Sequence, residues 1–186
     1  MEGALNNKMK TSSSLSEQEL VDCVNDGAST CALGGEMYQG VEYGISKGMM
    51  SESDYAYKGK SGNKCAFDAT KSVHTFSGYQ NITSGDEAAM KEAAFAQPVL
   101  SIGIDASSFA FQLYHKGVYD PKRCKNKAEE LDHGVAVVGY GSDSGKDYWV
   151  VRNSWGATWG MKGYVNMVRN EDNKCGVATQ ACFALV

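Results

Sequence analysis

The sequence predicts an α+β protein built from a helical first part and a stranded second part. Three observations point to it. Up to Ala96 the apolar residues recur at helical spacing behind Ser, Glu and Gly signals. From Val99 on the pattern changes to short runs of Val, Ile and aromatic residues bounded by Gly. The 186 residues, 42% of them hydrophobic, suffice for one sizeable domain or two lobes sharing an interface. Helices followed by strands suggest two lobes, with the boundary near Ser77: 1–77 helical, 78–186 stranded.

The elements follow in order. Met1 to Lys10 reads as the last turns of a helix, ended by Thr11-Ser12-Ser13-Ser14. Ser16 with Glu19 three residues on is a capping box, so a helix starts there and carries Leu20, Val21 and Val24 inward. Gly34-Gly35 leads into a second helix, Glu36 to Lys47, with Met37, Val41 and Ile45 along one face and Gly48 at its end. A loop-rich stretch anchored by Tyr55, Tyr57 and Phe67 precedes a strand over Val73–Tyr79. Asp86 to Ala96 is Ala-rich and helical, with Ser84 and Glu87 as a capping box and Pro98 as its stop. Strands are expected over Val99–Ile104, Gly117–Tyr119, Gly134–Gly139, Tyr148–Arg152 and Gly163–Val168.

Composition narrows the function. A formal charge of -4 argues against nucleic acid, which wants basic patches. No apolar run is long enough to span a bilayer. Met1 to Ser14 is polar and lacks the apolar stretch of a signal peptide. The six cysteines stand far apart, without the tight pairs of a zinc site, so disulfides are expected and no metal or cofactor. Asn81-Ile82-Thr83 is a glycosylation sequon in a polar stretch, consistent with a secretory route.

The chemistry concentrates in Leu131-Asp132-His133-Gly134 and Asn153-Ser154-Trp155-Gly156. The runs that follow His133 and precede Asn153 read as neighbouring buried strands, joined by the polar segment Ser142 to Asp147. A hairpin there brings the start of one strand and the end of the other to the same edge, and with them His133 and Asn153. An imidazole oriented by a carboxamide is two thirds of a Cys-His-Asn acyl-transfer site.

These residues resemble the papain family of cysteine peptidases, and within it the cathepsin L, S and K group. The likeness extends from Met1 to Val186 through Leu15-Ser16-Glu17-Gln18-Glu19-Leu20-Val21-Asp22-Cys23, Gly34-Gly35, Gly117-Val118-Tyr119 and Cys175-Gly176-Val177-Ala178. It implies a papain-like fold, with a helical lobe, an antiparallel β-barrel lobe and a substrate cleft between them. The family's nucleophile motif, Cys-Gly-Ser-Cys-Trp, occurs nowhere in the sequence, nor does its oxyanion-hole glutamine. A Glu-Gly pair that follows the nucleophile in the family stands here at Glu2-Gly3. The resemblance therefore implies a chain that begins inside the family's central helix, inactive alone. The helical lobe is then expected to turn apolar surface to water at Leu20, Val21 and Val41.

The resemblance also assigns roles. His133 is the catalytic base and acid, and Asn153 orients it. Trp155 covers their contact, Trp159 lines the leaving-group side, and Asp132 tunes the electrostatics. Gly34 and Gly35 let an extended peptide lie against backbone. Met37, Gly103, Leu131, Gly134 and Gln180 line the main specificity pocket, apolar except at Gln180. Cys23 pairs with Cys65 and Cys124 with Cys175, leaving Cys31 and Cys182 unpaired. The implied partners are protein or peptide substrates and cystatin-like or propeptide inhibitors, for a monomer that is lysosomal or secreted. Two readings stand: a cysteine endopeptidase working through a thioester, and a non-catalytic homologue that binds peptides or regulates.

Overall fold

The computed structural model describes residues 1–10, 12–27 and 31–186. The chain divides into two compact units, Met1–Gln80 with Ala184–Val186, and Asn81–Phe183.

In the first unit, α1 (Glu2–Met9) buries Leu5. Helix α2 (Glu17–Cys23) is capped as expected on one side: Ser16 Oγ accepts the Glu19 N–H at 2.9 Å. The reciprocal half of the box does not form. The Glu19 carboxylate turns instead to the Met50 N–H, 2.7 Å away, and the Ser16 N–H donates to Met50 O. The buried face of α2 also departs from expectation. Gln18, Glu19, Asp22 and Cys23 are buried, whereas Leu20 and Val21 are half-buried. Residues 55–60 supply the partners that make a polar inner face tolerable: the Tyr55 hydroxyl donates to Asp22 Oδ2 at 3.0 Å, and Gln18 Nε2 donates to Lys60 O at 2.9 Å. A disulfide joins Cys23 to Cys65 and fixes that wrapping.

Helix α3 (Met37–Ser46) starts at Glu36, whose side chain and that of Gln39 close a capping box. Val41, expected to face water, is buried among Leu5, Leu15, Met49 and Phe76. Strand β1 (Met49–Met50) pairs antiparallel with β2 (Ser72–His74). The strand expected over Val73–Tyr79 is two, β2 and β3 (Gly78–Asn81). Between them the chain leaves the ladder to bury Phe76, whose N–H donates to Gly44 O at 3.2 Å.

In the second unit, α4 (Glu87–Ala96) is capped by Asp86, not Ser84; Asp86 Oδ1 accepts the Ala89 N–H at 2.8 Å. Glu87 is buried, with a different task from capping. It accepts Trp149 Nε1–H at 3.0 Å, Asn170 N–H at 2.9 Å and Asn173 N–H at 3.1 Å, tying α4 to two distant segments. Then come β4 (Leu100–Ile104), the one-turn α5 (Phe109–Gln112), β5 (Val118–Tyr119), β6 (His133–Asp143), β7 (Lys146–Arg152), β8 (Tyr164–Val168) and β9 (Ala181–Leu185). They lie in the order β9-β4-β6-β7-β8-β5, antiparallel except for the β5–β8 pair. Leu100, Ile102, Ile104, Phe111, Trp149, Val151 and Val165 fill the core beneath them. Cys124–Cys175 closes the second disulfide. Among the described residues no helix is long and apolar enough to cross a membrane.

Candidate active site

Strands β6 and β7 form the hairpin that the sequence suggests. Its turn is Ser144-Gly145, with φ of 50° and 80°. Positive φ at both central residues is the two-residue geometry whose twist matches the flanking strands. Register runs from Asp143 opposite Lys146 to Ala136 opposite Arg152, with one bulge between Val137 and Gly139. His133 opens β6, opposite Ile104 of β4. Asn153 follows β7 directly.

Asn153 is held by its own backbone. Its N–H donates to Gly163 O at 2.9 Å, and the Gly163 N–H donates to Trp159 O at 2.7 Å. Gly163 has φ of +90°, and a Cβ there would meet Gly156 O at 3.3 Å, so the turn closes on a residue without a side chain. The Asn153 carboxamide is buried. Its Oδ1 lies 2.8 Å from His133 Nε2 and also accepts the Ser154 N–H at 2.7 Å. The backbone donor fixes which end of the amide is oxygen, because a flipped amide would set N–H against N–H. Oδ1 is therefore the acceptor toward the ring, and His133 Nε2 carries the proton. Nδ1 is left as the nitrogen that can take and give a proton. Asn153 Nδ2 is buried without a hydrogen-bond partner among the described residues, so the oxygen anchors the side chain.

Trp155 lies over the imidazole, ring centroids 5.0 Å apart and planes at 34°. Behind it stand Phe111 at 5.5 Å and Trp159 at 5.3 Å. Phe111 is fully buried and touches Trp159 as well, at 5.2 Å. The Trp159 indole N–H donates to Gln112 O at 2.9 Å. Beside His133 a recess of about 490 Å³ is lined by Ala106, Ser107, Gln112, Asp132 and Trp155. The Asp132 carboxylate accepts the Ala106 N–H at 2.7 Å, which holds the wall of that recess to the start of β6. Phe111 and Gln112 escaped the sequence reading; the signal available was Ser108 before Phe109-Ala110-Phe111-Gln112, a cap whose Oγ accepts the Ala110 N–H.

The other expected site residues fall into two groups. Gly103 and Gly134 are paired across β4 and β6. A Cβ on Gly103 would lie 3.2 Å from both Gln180 Oε1 and Leu131 Cδ1, so these three share one space. In the first unit, Gly34, Gly35, Met37 and Cys31 line a recess of about 290 Å³ with Leu20, Val21 and Val24. Asn81 and Thr83 of the sequon are exposed.

Cys31 and Cys182 carry free thiols. Cys31 stands exposed in a turn, not at a helix N-terminus. Cys182 lies opposite Ser101, across β4 from His133. Two strand spacings and three residues of offset put their Cα atoms about 14 Å apart, out of reach of one another. Burial pushes the Cys182 thiol above its ordinary range, which makes it a poor nucleophile. Among the described residues no cluster of His, Cys, Asp and Glu could hold a metal ion.

Comparison with known proteins bears on this geometry. The sequence pattern described as papain family cysteine protease matches residues 1–185. A "cathepsin L-like" protein of Caenorhabditis elegans is 46% identical over 188 residues, covering 100% of this chain and 55% of that protein. Cathepsin S of Rattus norvegicus is 43% identical over 190 residues, covering 98% of this chain and 56% of its own length. The chain thus spans about half the length of the curated relatives it matches. Digestive procathepsin L 3 of the Tenebrio molitor larval midgut superposes with a TM-score of 0.90 at 40% identity, covering 100% of this chain and 60% of that one. The ragweed pollen allergen Amb a 11, a cysteine protease solved in its proform, superposes with a TM-score of 0.91 at 36% identity, over 100% of this chain and 50% of its own.

Proposed function

The chain belongs to the papain family of cysteine proteases, and we propose that it carries the proton-transfer half of an endopeptidase site, with His133 as acid and base and Asn153 as its orienting residue. One observation carries this reading: a single buried carboxamide oxygen takes both His133 Nε2 and the Ser154 N–H. That contact fixes the ring and leaves Nδ1 for chemistry. In the reaction a cysteine thiol gives its proton to Nδ1 and its sulfur attacks the scissile carbonyl carbon. The C–N bond breaks as the imidazolium protonates the departing amine, leaving a thioester. Water, deprotonated by His133, then attacks the thioester and returns the thiol. Trp155 keeps water off the His133–Asn153 hydrogen bond.

The nucleophile is not one of this chain's free thiols, for the reasons of position given above. The family's Cys-Gly-Ser-Cys-Trp segment supplies it, and the 186 residues by themselves turn over no peptide. Gly34 and Gly35 offer backbone to an extended substrate. In the second unit Gly103, Leu131 and Gly134 favour an apolar side chain at the second position on the acyl side, with Gln180 as the one polar group there; in the first unit Met37 is a further apolar substrate contact. Protein and peptide substrates are the partners proposed, together with a propeptide inhibitor and cystatin-like inhibitors. The propeptide finds support in the two solved relatives, a procathepsin and a protease in its proform. A lysosomal or secreted location is supported by two disulfides and by the exposed sequon at Asn81.

The test compares the 186-residue chain with a version extended upstream through a Cys-Gly-Ser-Cys-Trp-like segment. A fluorogenic peptide with an apolar second residue is the substrate, and a thiol alkylator is the control. The extended protein should cleave it and lose activity on alkylation, while the short chain should not cleave it at all. Alkylator-sensitive turnover by the short chain would return the nucleophile to Cys31 or Cys182. An inactive extended protein with Ser or Gly at the nucleophile position would favour a peptide-binding homologue instead.

A further inference from the structure

The net charge of -4 conceals a local reversal. Between Lys116 and Lys127 the sequence holds five cations, Lys116, Lys122, Arg123, Lys125 and Lys127, and one carboxylate, Asp120. All five cations are exposed. Among the described residues none of them is in an ion pair. Asp120 does not offset them, because two lysines from elsewhere take it. Lys146 Nζ lies 2.7 Å from its Oδ2, and Lys174 Nζ lies 2.6 Å from its Oδ1. The strip ends where Glu129 and Glu130 turn the charge back.

Like charges this close repel one another and work against the compact chain. The fold holds them in place all the same. Val118 and Tyr119 pair with β8, and Cys124 is bonded to Cys175. The Lys125 N–H donates to Asp105 Oδ2 at 2.8 Å. Asn126 Nδ2 donates to Asp172 O at 3.2 Å, and Asn126 O accepts the Thr179 hydroxyl at 2.6 Å. None of these anchors uses a charged side chain of the strip. From Lys122 to Lys127 the chain spans at most about 18 Å, so four cations stand in one short row. A row on a fixed backbone spares a ligand part of the ordering cost.

The same segment tells which polyanion fits. Single-stranded nucleic acid calls for aromatic platforms, and the one aromatic residue here, Tyr119, is buried. A protein or a membrane calls for apolar side chains to bury or insert. Between Lys116 and Lys127 no large apolar side chain is exposed. Besides its cations the segment turns Gly117 and Asn126 to water. A linear sulfated polysaccharide offers repeated anions and hydroxyls, and asks for nothing more. We propose that residues 116–127 form a binding strip for such a polysaccharide. The proposal does not rest on the peptidase reading; it adds a partner of another chemistry to the peptide substrates.

The experiment measures fluorescence anisotropy of a labelled heparin octasaccharide with the full-length gene product that contains this chain. The test variant is Lys122→Ala/Arg123→Ala/Lys127→Ala; Lys125 is kept because its charge helps to hold the Asp105 carboxyl low. The control, Lys58→Ala/Lys60→Ala/Lys64→Ala, removes the same charge from exposed positions of the first unit. Wild type should bind at low salt, and log Kd should rise with log salt at a slope of about 3.5, or about 0.7 for each of five cations. The test variant should bind at least about tenfold more weakly and lose about two from that slope, while the control stays near wild type. A Lys122→Arg/Lys127→Arg variant, which keeps the charge, should bind as wild type does. No binding at low salt, equal losses in the two triple variants, or equal binding of the desulfated octasaccharide overturns the inference. Single-stranded DNA or phosphatidylserine vesicles binding more tightly than the octasaccharide would overturn it as well, by giving the strip to another class of partner.

Discussion

At Asn153 one oxygen serves two donors, and the residue's consequences follow from that. Removing the carboxamide strips His133 of its acceptor and takes the partner from the part-buried Ser154 N–H. The stability cost is about 0.5–1.5 kcal/mol, the net worth of one hydrogen bond whose donor can turn to water. The catalytic cost is larger, because an imidazole free to turn spends less time with Nδ1 correctly placed. In the extended, nucleophile-bearing protein, Asn153→Ala should lower kcat by roughly tenfold to hundredfold with little change in KM, the mark of a group acting after substrate has bound. Steady-state kinetics decide it; a kcat within about twofold of wild type would remove the orienting role. His133 and Asn153 were legible in the sequence because each sits in a contiguous motif at the end of a Val-rich strand. Phe111, which backs Trp155, was not, because a one-turn helix is too short to show a period.

Elements were legible where a local rule had no competitor. Ser144-Gly145 is an example: a polar pair between two apolar runs became the turn of the β6–β7 hairpin. Gly145 has φ of +80° and nothing within 4 Å of a Cβ built on it. The effect of Gly145→Ala is thereby reduced to backbone conformation, with no steric contribution. It should destabilise the protein by about 1 kcal/mol, read as a lower urea midpoint at unchanged slope. A neutral or stabilising substitution would mean the turn relaxes to another type. Where the local rules failed, a distant partner had outbid them. Glu19 and Glu87 both sit where a capping box wants them, yet each carboxylate serves remote donors: Met50 N–H for Glu19, and three N–H groups including the Trp149 indole for Glu87. The expected strand over Val73–Tyr79 broke for a similar reason, since burying Phe76 outweighed continuing the ladder. Nothing local in the sequence announces such long-range demands. Strand β9 went unread because its apolar run, Ala181-Cys182-Phe183-Ala184, has no alternation to mark it.

At the scale of the whole molecule, acid tolerance follows from where each unit keeps its carboxylates. In the second unit Asp105 is buried. Burial pushes its carboxyl up, but hydrogen bonds from the Ser107 hydroxyl, Lys125 N–H and Ser107 N–H outweigh that and hold it below the ordinary range. Asp120 is held low by Lys146 and Lys174. Groups with depressed values add stability above the ordinary carboxylate range and lose it only in stronger acid. The first unit does the opposite. Glu19 is buried at the centre of α2, and desolvation raises its carboxyl despite the Met50 N–H. The Tyr43 hydroxyl lies beside it and is itself pushed far up by burial and by the Glu19 charge. A raised carboxyl favours the folded state while protonated. Its contribution is fully present below the unfolded value, about 4.3, and is lost as pH rises through the folded one. Between about pH 5 and pH 7.5 the depressed aspartates stay ionised and change nothing, so the slope is left to the raised carboxyls of the first unit, the buried Glu19 and the exposed Glu17 beside Glu52. Urea midpoints of the wild-type chain should therefore fall from about pH 5 to about pH 7.5. Glu19→Gln keeps an acceptor for Met50 N–H and removes the buried charge, so its midpoints should fall much less across that interval. A wild-type protein equally stable at both pH values, or a Glu19→Gln protein that keeps the slope, would show that the Glu19 carboxyl does not govern acid preference.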